Sequence, residues 1–197
     1  MTYDHILPLI GYAFATSVTP GPNNMMLLAS GANFGLRRSL PHMLGISGGH
    51  AFMVLVMGLG LAQLIHAWPS VMVALKALAV VYVAWLAWKI AHSAAPQAAQ
   101  SIGQPLTFLQ AAGFQWVNPK AVAMAISAVT VYGGNGGIAE VAVVAVTFAC
   151  VNLPSVSVWT LAGEALRQFL SNPLRLRVFN WTMATLLVVS MAPVLWL

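Results

Sequence analysis

Long apolar runs, cut by short polar or Gly/Pro-rich breaks, organise the chain into six stretches. The first covers about Ile6 to Ala32 and stops before Arg37 and Arg38. The second covers about Leu40 to Ile65 and stops at His66-Ala-Trp-Pro69. The third runs from about Val71 to Ala91, where Trp85, Trp88 and Lys89 form an interfacial pattern. The fourth spans about Leu106 to Tyr132, and a Gly133–Gly137 turn leads to the fifth, about Ile138 to Ala162. The sixth covers about Val178 to Leu197, after an arginine-bearing loop. Each is long enough to approach or exceed the roughly 20 residues that cross a bilayer. The pattern predicts an all-α membrane protein with about six transmembrane helices. The N-terminus lacks the basic region and small-residue cleavage site of a signal peptide, so the first stretch reads as a retained helix.

A polar linker, Ser93 to Pro105, divides these stretches evenly. Residues 1–92 form a first three-helix repeat, 93–105 a cytoplasmic linker, and 106–197 a second three-helix repeat. An odd number of spans per half forces the halves to insert in opposite senses, which is the arithmetic of inverted repeats. Arg37, Arg38, Lys89, Arg167, Arg175 and Arg177 fall on the odd-to-even side, with Glu164 among them, against Asp4, Glu140 and Lys76 on the other. The positive-inside rule then places those basic loops in the cytoplasm and both termini outside. The expected location is the bacterial inner (plasma) membrane, multi-pass.

Composition agrees with this and removes the alternatives. Hydrophobic residues make up 60% and charged residues only 6%, against roughly 25% charged in ordinary soluble domains. Three acids and eight bases cannot coat a soluble globule of this size. The net charge of +5 could point to nucleic acid, but the bases sit between apolar runs rather than on one polar face, so no nucleic-acid partner is expected. A single cysteine, Cys150, excludes an intramolecular disulfide and a dithiol shuttle. Neither cofactor nor metal is expected.

The informative residues are those that a lipid-facing helix should not carry. The first stretch holds Thr19-Pro20-Gly21-Pro22-Asn23-Asn24 about midway along its length. Two prolines remove amide donors and clash with the preceding turn, so the helix should break there. Carbonyls freed by such a break need partners, which only protein or trapped water can supply inside a membrane. The fourth stretch opens the second half and carries Trp116-Val-Asn118-Pro119-Lys120-Ala121 at similar depth. Matched broken segments in corresponding helices are the best sequence pointer to a transport site. The exposed amides and carbonyls of such breaks suit the carboxylate and ammonium of a small zwitterion. Lys120 either lines the pathway or snorkels to an interface. Asn152, beside Pro154, is either part of the site or part of a kink. His50 either relays protons or packs as a hydrogen-bonded histidine. Gly31 with Gly35, and Gly45 with Gly49, are spaced four apart and predict close helix packing. Glu140 and Glu164 lie near helix ends, where both should be solvated.

Taken in order, several motifs resemble the LysE/RhtB family of amino-acid exporters. They are Pro20-Gly-Pro-Asn23, Gly31-Ala-Asn-Phe-Gly35 with the basic pair, Gly45 and Gly49, Leu75-Lys76 with Tyr82 and Trp85-Leu86, Asn118-Pro-Lys-Ala121, and Asn180. The segment from Tyr82 to Ala91 is similar to the branch that exports cysteine and O-acetylserine. The resemblance covers essentially the whole chain. It implies efflux of amino acids or their small derivatives, driven by proton exchange, with the two breaks engaged in transport. Ala79, Ala87 and Ala184 stand where the family often has glycine, and some members carry an acid near the position of His50. The proton-coupling residue therefore stays open.

Two rivals come from other classes. Gly45-Ile-Ser47-Gly48 matches the Gly-x-Ser-Gly of rhomboid-type intramembrane proteases, but a serine nucleophile needs a base, and no histidine follows His92. A passive channel would equilibrate substrate without accumulating it. The expectation is a secondary transporter, not an enzyme, exporting small amino acids from the cytoplasm by proton antiport. Its substrate site is built from Pro20, Gly21, Pro22, Asn23, Asn24, Asn118, Pro119, Lys120 and Asn152, with His50 on a proton pathway. Its partners are the amino acid, the proton and the lipid bilayer; homo-oligomerisation stays open.

Overall fold

The computed structural model describes residues 5–61, 69–93, 104–134 and 137–189. Asp4, the second stretch beyond residue 61, most of the linker, Asn135 and Gly136, the end of the sixth stretch, and the side chains of Leu75 and Lys76 lie outside the described residues.

Every regular element among the described residues is helical, and the six stretches become eight α-helices because the first and fourth are each split in two. The first stretch is α1 (Ile6–Val18) and α2 (Pro22–Phe34), separated at Thr19–Gly21. The fourth is α5 (Phe108–Val117) and α6 (Pro119–Tyr132), separated at Asn118. Pro22 and Pro119 occupy the first turns of α2 and α6, where a missing amide costs no internal hydrogen bond. The unbroken stretches are α3 (Leu36–Val56), α4 (Pro69–Ala91), α7 (Ile138–Ala165) and α8 (Pro173–Val189). By length and composition, two helical segments among the described residues suffice to cross a membrane, Leu36–Leu61 and Ile138–Ala165.

Several boundaries differ from expectation for local reasons. α3 starts at Leu36, because Gly35 with φ 78° turns the chain straight from α2 into α3. Gly35 is thus the turn between α2 and α3, and a Cβ there would also meet the Glu164 carboxylate of α7, the helix on which Gly31 packs. α8 starts at Pro173, where the Asn172 carboxamide accepts the amides of Leu174 and Arg175. Arg175 and Arg177 therefore lie in the first turns of α8 rather than in a loop, and Asn180 lies within the helix rather than at its opening. Thr107 and Gln110 form a reciprocal capping box that starts α5. Glu140 caps α7 by accepting the Gly137 amide.

Small residues set how closely the helices approach. A Cβ on Gly31 would collide with the Thr160 carbonyl, and one on Gly163 with the Leu28 carbonyl, so α2 and α7 meet backbone to backbone. Gly45 faces the Phe108 carbonyl and Gly49 faces Ala112, which seats α5 on α3 in the same way. α3 also packs along α7, and α4 along α8. One buried apolar cluster, including Leu27, Ile46, Leu86, Phe114 and Val156, fills one side of the bundle. A second, including Leu9, Met53, Ala125, Val144 and Phe148, fills the other. The outward surface is also apolar, with Leu7, Phe14, Phe52, Leu109, Val146 and Leu174 more than half exposed. Cys150 faces outward among these residues.

One end of the bundle gathers the bases. Gly35 lies beside Glu164 and Arg167, and Asn180 of α8 bonds both Asn33 of α2 and the Ser93 carbonyl after α4. The segments bearing Arg37, Arg38, Lys89, Arg167, Arg175 and Arg177 thereby share that end.

The α2–α7 seam is a sharp test of this packing. Gly163→Leu should destabilise the protein by about 1–3 kcal/mol or more, as overpacking does, read as a lowered midpoint of thermal unfolding in detergent. Gly113→Ala, where an added Cβ meets nothing within 4 Å, should leave that midpoint unchanged or slightly raised.

Candidate functional site

Breaking a helix with prolines strands the carbonyls of its last turn, and each of four consecutive carbonyls at the end of α1 has found a donor. Asn24 Nδ2 donates to Ser17 O (2.9 Å) and Thr19 O (2.7 Å). Trp159 Nε1, from α7, donates to Val18 O at 3.0 Å. Lys120 Nζ, from α6, donates to Thr19 O (2.7 Å), Thr19 Oγ1 (2.9 Å) and Pro20 O (3.3 Å). Of these, the Ser17 carbonyl is buried, and a buried carbonyl left without a partner costs about 1–3 kcal/mol; Thr19 and Pro20 are exposed.

The same contacts lock the two breaks together. Lys120, two residues past the second break, reaches the first. Its aliphatic stem passes so near Gly21 that a Cβ there would lie 2.8 Å from Lys120 Cδ. Asn23 and Gln115 add a reciprocal amide pair between α2 and α5, at 2.9 and 3.2 Å. Asn118 caps α6 by accepting the Lys120 amide at 3.2 Å. Asn152 of α7 ties in α1 and α3, donating to Ser17 Oγ of α1 (3.1 Å) and accepting from Ser47 Oγ of α3 (2.9 Å). α7 continues as a helix through Pro154.

Between the breaks lies a cavity of about 20 Å³, enough for about one water. Thr16, Ser17, Gly21, Asn23 and Asn24 line one side, with Asn118, Lys120, Ala121 and Met124 opposite. His50 of α3 and Asn152 and Val156 of α7 close it. The His50 ring packs edge-on against Phe148, centroids 5.0 Å apart, and its buried Nε2 has no hydrogen-bond partner among the described residues. The hydrogen-bonded packing reading of His50 therefore lacks a partner at that nitrogen.

Of the residues that the sequence nominates, Gly21, Asn23, Asn24, Asn118, Lys120, Asn152 and His50 all line this one cavity. Pro20 is exposed at the break, and Pro22 and Pro119 start α2 and α6, so the prolines shape the site without lining it. The sequence reading did not nominate Ser17, Thr19, Gln115 or Trp159. Gln115 was visible as a buried-type amide in an apolar helix three residues before the break. Trp159, 141 residues from its acceptor, left no local signal. Ser47, part of the protease-like motif, bonds an amide rather than a base.

Electrostatically the cavity has two opposed ends. α2 begins at Gly21 with no side-chain cap, leaving first-turn amides that favour a negative group. The carbonyls ending α1 favour a cation, and the Lys120 ammonium now sits on them. An ammonium and a carboxylate held close together match that pattern.

Comparisons with known proteins bear on the family of the chain. Over 95% of both chains, this chain is 32% identical to the cysteine/O-acetylserine efflux protein of Klebsiella pneumoniae. It is 29% identical to the protein of that name from Escherichia coli K12, over 78% of this chain and 79% of the relative. With the Salmonella typhimurium protein of that name it shares 34% identity over 61% of this chain and 62% of the relative. No solved structure matches the chain. The model of the LysE type translocator family matches residues 14–195. The chain therefore belongs to the LysE type translocator family, whose members are membrane transporters and not enzymes.

Proposed function

We propose that this protein is a secondary carrier of the bacterial inner membrane that exports small amino acids or their derivatives from the cytoplasm in exchange for protons. The observation that carries this reading is the meeting of two broken helices around one polar cavity, cross-bound by Lys120 and the Asn23–Gln115 pair. The efflux proteins of similar sequence name cysteine and O-acetylserine, and small zwitterions of that kind suit the two ends of the cavity.

In this reading the two halves are inverted three-helix repeats, residues 1–92 and 106–197, joined by a cytoplasmic linker. The end that gathers the bases faces the cytoplasm and both termini lie outside. The substrate carboxylate takes the uncapped amides of α2, and its ammonium takes the α1 carbonyls. Lys120 is the internal stand-in for that ammonium. Arrival of substrate displaces it, and the freed lysine pairs with the carboxylate. A space for about one water does not hold an amino acid, so loading requires the α1–α2 and α5–α6 breaks to separate. His50, buried on the cavity wall with an unpartnered nitrogen, is the proton-carrying group.

Purified protein in liposomes with an imposed pH gradient tests the carrier. Labelled cysteine and O-acetylserine should accumulate against their gradients and cease to do so when the pH gradient is collapsed. Equilibration without accumulation would identify a channel, and no movement through folded protein would remove the exporter reading.

Asn23→Ala and Asn118→Ala should each abolish accumulation while leaving insertion and size-exclusion behaviour unchanged. Lys120→Met, similar in length but without charge, should lower the initial rate at least about tenfold, equivalent to about 1.4 kcal/mol. Normal transport by all three variants would take the site away from the breaks.

A further inference from the structure

Three buried side-chain nitrogens lack a hydrogen-bond partner among the described residues: Nε2 of His50, and both Nδ1 and Nε2 of His42. His50 belongs to the central cavity. His42 does not. It sits on α3 eight residues earlier, about 12 Å along the axis, and is 1% exposed. It lines a second cavity, of about 40 Å³, between α2, α3, α4 and the segment Gln104–Leu106. The apolar cluster containing Leu27, Ile46 and Phe114 reaches from this cavity, at Met26, to the central one, at Val156.

Of the other polar groups on its wall, Gln104 is exposed and Ser93 donates to the Lys89 carbonyl at 3.0 Å. Ser30 shares a hydrogen bond with Ser39 (2.7 Å), and Asn33 exchanges amide bonds with Asn180 at 2.9 and 3.3 Å. Lys89 is different. It also lines the cavity, and its ammonium forms no hydrogen bond among the described residues, lying 5.5 Å from the Trp85 ring centroid. No acidic side chain is on the lining. The Lys89 ammonium and the His42 imidazole thus border one space, and neither is hydrogen-bonded among the described residues. A buried donor such as the His42 N–H is normally satisfied, and paired donors, one of them charged, match the two oxygens of a carboxylate or phosphate.

We propose that this cavity is a second oxyanion-binding site at the basic end of the protein, with Lys89 Nζ and the His42 N–H as its donors. Its ligand is the carboxylate of an amino acid on its way to the central cavity, or the phosphate of an anionic lipid that offers the same oxygens. Only the first of these rests on the carrier reading. The cavity takes the oxyanion group alone, so the remainder of the ligand extends outside it.

The test is equilibrium binding of labelled O-acetylserine to the full chain in phosphatidylcholine nanodiscs, with lipid retention measured in parallel by mass spectrometry after purification with phosphatidylglycerol. Wild type should bind two equivalents. Lys89→Met and His42→Leu should each lose one, or weaken it at least tenfold, while Lys89→Arg keeps both and Asn118→Ala loses the other. If phosphatidylglycerol is the occupant, wild type and Lys89→Arg should retain it and Lys89→Met should not. That result, even with no amino acid bound anywhere, would leave the oxyanion site standing and sink the carrier reading. Unchanged stoichiometry together with unchanged lipid retention in both Lys89→Met and His42→Leu would overturn the site, and amino acid lost only in Asn118→Ala would leave the carrier reading intact.

Discussion

Everything in this structure depends on how an interrupted backbone is satisfied in apolar surroundings. Pro20 and Pro22 cannot continue α1, and the helix stops at Val18, so the carbonyls from Ser17 to Pro20 take side-chain donors instead of helical ones. In hydrocarbon an orphaned carbonyl is too costly to leave exposed. The protein answers with side chains from three elements: Asn24 from α2, Trp159 from α7 and Lys120 from α6. Satisfying the break therefore fixes the positions of its neighbours, and the polar centre follows from a backbone requirement.

The rest of the packing frames that centre. Apolar clusters lie on either side of it, one around Phe114 and Ile46, the other around Phe148 and Met53. Glycine seams bring α2 onto α7 and α5 onto α3, so each broken helix has one half held backbone to backbone against an unbroken helix. Van der Waals contact of that kind does not depend on the substrate. The links between the two breaks are of another kind: a lysine on carbonyls and an amide on an amide. In the proposed reading, those bonds are the ones a zwitterion would replace. The division between fixed seams and exchangeable polar links is what a site that must open would require.

The location of the breaks was readable from the chain because proline acts locally. Pro20 and Pro22, two apart around a glycine, cannot sit in a regular helix, and Asn118 next to Pro119 is a ready cap, whereas the single prolines Pro41 and Pro154 lie inside continuous helices. Gly45 and Gly49 were readable as a packing face for the same reason: a four-residue spacing sets a helix face without knowledge of the partner. Gly35 lies beside Glu164 of α7, but its φ of 78° also makes it the turn into α3, which the spacing alone does not show. The start of α8 was misread because Arg175 and Arg177 look like loop residues, yet they follow a cap at Asn172.

What the sequence alone determined was the class: an apolar helical chain with two proline-centred breaks and bases confined to certain segments. Hydropathy and proline geometry are properties of short stretches, so a single chain suffices to show them. What only the tertiary structure decided was who meets whom. Lys120 reaches back 101 residues to Thr19, Asn152 reaches 135 residues to Ser17, and Gln115 reaches 92 to Asn23. His42 gave no signal in the chain and became conspicuous only when burial left both its nitrogens without a partner among the described residues. Such pairings depend on how helices are placed against each other, and that placement is a sum over all their contacts, which no local stretch of sequence contains.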